Sequence, residues 1–193
     1  MCFKPFRLLI LSFIALCCAP LANAQSGFFQ PEPERPYSSL AFEFQAYPTG
    51  IIPSITYERF ISKTDAWHAR IGRQIIRHGD EGVFEDERGE GLGGSLGYRR
   101  YWPSGFSLGA RLDLWANSLD WADNIGEPDE IRGHTDIIVL QPTVEVSWRK
   151  FFTQRWFIQP SFAAGFEINI ITDGEDTGEG FIPLGALAVG RTF

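Results

Sequence analysis

Cysteine is scarce in this sequence, and its few copies supply no chemistry to an exported protein. Lys4 and Arg7 give the N-terminus a positive charge, an apolar run follows, and Ala22-Asn23-Ala24 is a small-residue cleavage site. Residues 1–24 are therefore predicted to be a secretory signal peptide. All the cysteines lie within it: Cys2, Cys17 and Cys18. The exported chain is expected to have no disulfide, no thiolate nucleophile and no cysteine metal site.

A long apolar run is also missing after residue 24. A chain without a helix-length apolar segment can span a membrane only as a closed β-barrel, which satisfies every backbone polar group within the sheet. Basic residues are the minority as well. Without Lys4 and Arg7 the chain has 15 basic and 24 acidic residues, a formal charge of −9. This balance argues against nucleic acid and against polybasic lipid binding as functions.

What the sequence does contain is a repeated alternation of apolar and polar residues, the period of a β-strand. Residues 25–37 precede it as a proline-containing, extended and flexible lead-in. Three polar connections, 76–91, 118–133 and 171–180, are predicted to be long loops, and the remaining connections are tight turns. The predicted strands are Leu40–Ala46, Ile51–Glu58, Trp67–Ile75, Leu92–Arg99, Phe106–Leu114, Ile138–Trp148, Ile158–Asn169 and Phe181–Phe193.

The last predicted strand ends on Phe193, an aromatic residue suited to a lipid–water interface. In this the chain resembles the small eight-stranded bacterial outer-membrane β-barrel proteins over residues 38–193. The resemblance implies an all-β fold, an eight-stranded antiparallel up-and-down transmembrane barrel in the outer membrane. It further implies a monomer that contacts outer-membrane lipid and lipopolysaccharide, with Phe193 recognised by the barrel assembly machinery. Arg191 departs from the family pattern, which has an apolar or aromatic residue there.

The polar faces of the strands combine small residues with isolated charges and no lysine. In a narrow barrel such charges can pair with one another, and the small residues leave room for them. We therefore predict an interior charge network of five acids and three arginines. Its members are Glu43, Glu58, Arg70, Arg99, Arg111, Asp113, Glu145 and Glu167. A soluble barrel or sandwich, with these charges on its surface, is the alternative.

Motifs for catalysis or for cofactor binding are few. His134 and Asp136 lie two residues apart, so they could share a face as a general-base pair, but no serine or further acid joins them at a telling spacing. His68 is predicted to be a hydrogen-bonded residue of the interior. Fifteen acidic residues lie in the three long loops, where a solvated surface is favoured over a cation site. No catalytic residue, cofactor or metal ligand is predicted.

The function indicated is a non-enzymatic membrane scaffold that displays acidic extracellular loops for envelope integrity or surface contact. A narrow pore is one alternative. The other is a lipid-modifying enzyme, with lateral lipid access where Pro142 and Pro160 weaken one seam between strands. That proline-flanked gap resembles the one in the outer-membrane lipid A palmitoyltransferase, whose catalytic motif is not recognisable in this chain.

Overall fold

A computed structural model describes residues 37–79, 84–175 and 177–193, apart from the side chain of His78. The predicted signal peptide and lead-in up to residue 36 lie outside the described residues. The strands are β1 (Ser38–Tyr47), β2 (Gly50–Phe60), β3 (Asp65–Gly79), β4 (Asp86–Tyr101), β5 (Phe106–Asp123), β6 (Ile131–Trp148), β7 (Lys150–Phe151), β8 (Trp156–Asp173) and β9 (Gly180–Thr192). No helix in the described part of the chain is long and apolar enough to span a membrane.

The strands form one antiparallel sheet that closes on itself. Consecutive long strands pair with each other, β9 pairs with β1, and β8 pairs directly with β6 and, nearer its start, with the short β7. Closure leaves no free edge among the eight long strands, so every strand has two hydrogen-bonded neighbours. The predicted fold class, an eight-stranded up-and-down barrel, is confirmed.

The two faces of the wall are opposite in polarity to those of a soluble barrel. Outward side chains are apolar and exposed, as for Ile71 (69%), Leu92 (70%) and Leu96 (69%). The lumen instead buries polar and charged side chains, among them Gln45, Arg70 and Asp113. Apolar residues cover such a surface only where lipid, rather than water, surrounds it. The chain is therefore a transmembrane barrel, and the bacterial outer membrane is the membrane that holds barrels of this architecture.

The three predicted long loops are wrong in extent. Strands β3 and β4 continue through most of 76–91, and β5, β6 and β8 likewise extend into the regions predicted as loops. The connections reduce to residues 80–85, 124–130 and 174–179. Outward apolar residues stop where the wall leaves the bilayer, while the hydrogen-bond ladder continues into water. The strands from β3 to β8, apart from the short β7, are therefore longer than β1 and β2.

We call the end of the barrel that holds Ser38 and Phe193 the turn end, and the opposite end the loop end. The turn end carries the connections 61–64, 102–105 and 149–155, the last of which contains β7. Gly105 adopts a φ of 82°, and its backbone N–H donates to the Trp102 carbonyl oxygen at 2.9 Å, which closes a tight turn. At the same end Ser38 and Phe193 exchange backbone hydrogen bonds of 3.0 and 2.9 Å.

Side chains fill the lumen in three layers. Aromatic rings of Phe60, Tyr101 and Phe157 lie at the turn end. A cluster at the loop end includes Trp115 and Leu184, both almost fully buried. Charged residues occupy the layer between these two, and they form the site described next.

Candidate functional site

Eight charged side chains in the middle of the lumen form one continuous series of ion pairs. Seven come from inward positions of strands, because alternate residues of a barrel strand face the interior, and the eighth, Arg149, directly follows β6. All eight residues are at most 7% exposed. In order of contact they are Glu43, Arg70, Asp113, Arg111, Glu145, Arg99, Glu58 and Arg149. We refer to them as the lumen ion chain.

Arg111 lies at the centre of this chain and bridges two strands. Its Nε donates to Asp113 Oδ2 at 3.0 Å, and its Nη1 donates to Glu145 Oε2 at 2.5 Å. Glu145 uses its other oxygen to accept from Arg99 Nη2, also at 2.5 Å. Each central carboxylate thus binds two guanidinium groups, an arrangement of charge-assisted hydrogen bonds.

The Glu43 end of the chain is built around Arg70. The Arg70 guanidinium donates to Glu43 at 2.9 Å, to Asp113 at 2.5 Å and to the side-chain oxygen of Gln45 at 2.7 Å. Arg70 Nε also donates to Ser95 at 3.2 Å, and its guanidinium carbon lies 5.5 Å from the centre of the Trp115 ring. Arg70 therefore contacts both the charged layer and the apolar layer at the loop end.

The other end of the chain is closed by Arg149. Its Nη1 lies 2.7 Å from Glu58 Oε1, and its Nε donates to Gln159 at 2.7 Å. The guanidinium also lies 4.1 Å from the centre of the Phe157 ring and 4.9 Å from that of Tyr101, both distances typical of cation–π contacts. Tyr101 in turn donates to Glu58 at 2.8 Å. The chain therefore ends against the aromatic layer.

The lumen ion chain has no net charge, since four arginines face four carboxylates. Burying eight ions costs several kcal/mol for each ion, and only close pairing with additional hydrogen bonds offsets that cost. Gln45 and Thr143 supply such additional bonds, because Gln45 accepts from both Arg70 and Arg111 and Thr143 donates to Asp113 at 3.1 Å. Removing any one charge would leave its partners buried without compensation.

Glycine provides the room that these side chains need. A Cβ atom at Gly97 would lie 2.6 Å from the His68 ring and 2.7 Å from Arg111, so a side chain there would displace the chain's centre. A Cβ atom at Gly93 would likewise lie 2.4 Å from the Trp115 ring. One cavity of about 10 Å³ lies beside Glu58, Arg99 and Arg149, which is room for about one water molecule.

The predicted network and the observed chain differ at two residues. Glu167 faces inward near the loop end, opposite Gly180, and has no ion pair within the described residues. Arg149 belongs to the chain although it was not predicted, because the predicted strand ends one residue earlier, at Trp148. It continues the inward alternation of Glu145 and Ser147 by one further step, and that is the signal that could have found it.

His68 is buried in the same layer, at 4% exposure. The prediction that it is hydrogen-bonded is wrong within the described part of the chain, where neither ring nitrogen has a partner. It packs beside Gly97 instead, in the space that the glycine leaves. His68 therefore occupies space in the charged layer without a hydrogen bond to the lumen ion chain.

The seam between β6 and β8 is paired along most of its length. Ten residue pairs hold it, and the assigned pairing skips Gln141 and Pro142. Pro142 itself pairs with Leu112 of β5, and Pro160 pairs with Leu187 of β9. The two prolines thus lie on adjacent strands of this seam, one at its interruption and the other just beyond its end at Ser147 and Ser161.

His134 lies on the outer wall, beyond the apolar band. Its Nδ1 is 2.7 Å from Asp120, its Nε2 is 3.1 Å from Ser118 Oγ, and Asp136 lies 3.4 Å from the same Nε2. The hydrogen bond to Asp120, reinforced by Asp136, raises the pKa of His134. The pairing of β5 with β6 thus brings Ser118 and Asp120 to His134, which the spacing in the sequence did not predict. His134 and its two acids form a surface ion-pair cluster.

The acidic residues predicted for the loops lie at the loop end wherever the structure describes them, but several are on strands. Asp120 and Asp123 belong to β5, and Asp86 and Glu90 belong to β4. Glu87 faces inward and is buried. Within the described residues, no group of three or more His, Cys, Asp or Glu side chains is arranged to hold a metal ion.

Comparison with solved structures finds small outer-membrane barrels. The chain is similar to the N-terminal β-barrel domain of Pseudomonas aeruginosa OprF, with 14% identity, a TM-score of 0.46 and coverage of 82% of this chain and 98% of that one. It is also similar to Ail of Yersinia pestis, with 11% identity, a TM-score of 0.46 and coverage of 83% and 100%. A third similar structure is CarO of Acinetobacter baumannii, with 11% identity, a TM-score of 0.49 and coverage of 82% of this chain and 98% of that one. No family model and no curated protein sequence matches the chain.

Proposed function

We propose that this protein, which has the architecture of a small eight-stranded outer-membrane β-barrel, is a non-enzymatic scaffold with a sealed lumen. Acidic residues at its loop end, among them Asp120, Asp123, Glu127 and Asp129, form an acidic outer surface. The observation that carries the proposal is the lumen ion chain, which runs unbroken from Glu43 to Arg149. Its eight groups compensate one another, so this layer has no excess charge that would attract an ion. The aromatic and apolar layers on either side add two further barriers.

A narrow pore is less well supported than a sealed scaffold. Conduction needs a continuous path of water, and side chains that form short ion pairs leave little space for one. The cavity beside Glu58 is no larger than about one water molecule. Opening a path would require breaking several buried ion pairs at once.

A lipid-modifying enzyme with lateral access at Pro142 and Pro160 is also less well supported. The skipped pairing at Gln141 and Pro142 is short, and registered pairs flank it on both sides. An acyl chain that entered there would meet the buried side chains of Gln141 and Asp113, which are polar. Such surroundings disfavour a hydrocarbon ligand.

Contact with lipopolysaccharide is part of the proposal. Arg77 and Arg88 are cross-strand partners on the outer wall, both exposed and beyond the apolar band. Like charges placed directly opposite repel, and an anionic phosphate between them would relieve that repulsion. Arg88 also binds Asp86 at 3.0 Å, which keeps its guanidinium near the wall.

The scaffold function can be tested in cells that lack the gene. Loss of the protein should raise the uptake of a hydrophobic dye and weaken adsorption of the cells to a cationic polymer. A variant with Asp120, Asp123, Glu127 and Asp129 changed to their amides should restore the dye barrier but not the adsorption. The wild-type gene should restore both. Unchanged dye uptake and adsorption after deletion would contradict the proposed function.

A further inference from the structure

Acidic and basic side chains are distributed unequally between the two ends of the barrel's outer surface. Among the described residues, six of the ten exposed basic side chains lie at the turn end, on the outer wall or in the turns. On the outer surface of that end, Asp65 is the only acidic side chain among the described residues. The basic residues are Arg59, Lys63, Arg100, Lys150, Arg155 and Arg191. We call these six residues the basic rim.

The one acid at this end is already occupied by hydrogen bonds. Asp65 accepts from Ser62 Oγ at 2.5 Å and from Thr64 Oγ1 at 2.8 Å, and Tyr98 also donates to it. These bonds, with that of Ser62 the largest contribution, lower the pKa of Asp65 to about 2. Asp65 therefore carries a single fixed negative charge, and the rim keeps a large positive excess.

The basic rim lies at the level of a belt of exposed tryptophans. Arg59 is the cross-strand partner of Trp67, and Arg191 is the partner of Trp156. The Lys150 Nζ lies 5.8 Å from the centre of the Trp148 ring. Tryptophan is enriched where a bilayer meets water, at the depth of the lipid headgroups. The cations of the rim are therefore placed beside the headgroups of one leaflet.

The rim includes a shallow, open cleft of about 380 Å³ beside the turn that leads into β8. Its lining residues are Thr153, Gln154, Arg155, Trp156 and Arg191. Two guanidinium groups thus border one space, together with a hydroxyl and an amide. Planar, multivalent donors of this kind suit the oxygens of a phosphate group.

The backbone around the cleft is fixed before any ligand binds. Thr153 Oγ1 accepts from the Trp156 backbone N–H at 2.9 Å, and the Thr192 backbone N–H donates to the Arg155 carbonyl oxygen at 2.8 Å. The second bond ties the turn to β9, which carries Arg191. A site whose backbone is already ordered binds its ligand at a lower entropic cost.

We propose that the basic rim binds anionic phospholipid headgroups in the leaflet at the turn end, with the Arg155–Arg191 cleft as its principal site. The chain as a whole is acidic, but in its described part the acidic side chains of the outer surface lie, apart from Asp65, toward the opposite end. Arg191, the residue that departs from the pattern of the family's last strand, is one of the two cations that form the cleft. The ligand class is a phosphodiester lipid such as phosphatidylglycerol.

Native mass spectrometry of the refolded barrel tests the proposal. The protein would be taken from nanodiscs that contain phosphatidylcholine with a minor fraction of phosphatidylglycerol. Wild type should retain phosphatidylglycerol in preference to phosphatidylcholine, and added salt should weaken that preference. In the double variant R155Q/R191Q the preference should fall about fivefold for each cation removed. The variant R73Q/R132Q, altered toward the loop end where each arginine is already paired with an acid, should behave as wild type.

Two results would overturn the inference. Equal retention of the two lipids by wild type would show that the basic rim selects no anionic headgroup. An unchanged preference in R155Q/R191Q would show that the cleft is not the principal site. Both variants alter exposed side chains, and a heat-dependent shift on SDS gels verifies that each barrel has folded.

Discussion

Arg111 illustrates at the scale of one residue why the lumen ion chain must be complete. It binds Asp113, Glu145 and Gln45, and all three are buried. In Arg111→Ala, Asp113 would keep only its ion pair with Arg70, and Glu145 would keep only its ion pair with Arg99. Breaking a buried pair by removing one partner costs about 3–5 kcal/mol. We expect the free energy of unfolding of refolded Arg111→Ala to fall by about 3 kcal/mol in urea titrations.

A matched control for that substitution is Arg100→Ala, which removes an arginine from the exposed face of the neighbouring strand. Its free energy of unfolding should change by no more than about 0.5 kcal/mol, as is usual for a surface substitution. Equal stability of Arg111→Ala and wild type would mean that the ion chain contributes nothing to the barrel.

His134 gives a pH-dependent prediction at the same scale. Hydrogen bonding to Asp120 and the nearby Asp136 raise the pKa of His134 above its ordinary value of 6.5. The stability that the charged pair contributes is fully present below pH 6.5 and is lost as the pH rises through the raised pKa. NMR titration should show His134 of wild type titrating above 6.5, and Asp120→Asn should lower that pKa. A midpoint at or below 6.5 in wild type would contradict the ion-pair cluster.

At the scale of the element, β9 closes the barrel through its backbone, and the side chain of Phe193, which follows the last residue of β9, faces outward. Phe193 is 66% exposed, and its backbone is bonded to Ser38. Alanine at this position keeps both backbone bonds and loses at most about 1.5–3 kcal/mol of apolar burial in lipid. Phe193→Ala should therefore refold in detergent nearly as well as wild type.

In cells the same substitution should have a larger effect, if Phe193 is the residue that the assembly machinery recognises. We expect Phe193→Ala to accumulate unassembled in the periplasm, as measured by protease access and by the heat-dependent gel shift. Phe181→Ala is the matched control, because Phe181 is similarly exposed at the opposite end of the same strand, at 64%. Normal surface display of Phe193→Ala, or equal defects in both variants, would show that the terminal position has no special role.

The strands also show which parts of the fold could be predicted from the sequence. Alternation identifies the wall inside the bilayer, because lipid on one side and a polar lumen on the other impose opposite chemistry on successive residues. Beyond the bilayer both faces of a strand are polar, as at Glu87 and Arg88 in β4, so the signal disappears while the ladder continues. The two-residue strand β7 and the skipped pairing at Pro142 depend on contacts between distant segments, which no local pattern records.

At the scale of the whole molecule, the barrel has an interior layer of ion pairs with no net charge. Its outer surface carries net charges of opposite sign at the two ends. Seven of the eight residues of the lumen ion chain could be predicted, because each is an isolated charge on an inward position of a predicted strand. Their order of contact could not, since it depends on which strands lie opposite one another across the lumen. Glu58, for example, lies on β2, whereas its partner Arg149 follows β6 on the other side of the closure between β1 and β9.

The measurement that tests the sealed lumen most directly is the conductance of a planar bilayer that contains the refolded wild-type barrel. Insertion is verified beforehand by the heat-dependent shift on SDS gels, and a known porin serves as the positive control. With eight buried charges paired across the lumen, the current should stay at the baseline of a protein-free bilayer at every voltage that the bilayer withstands. A steady unitary conductance that appears with each inserted molecule would contradict the account.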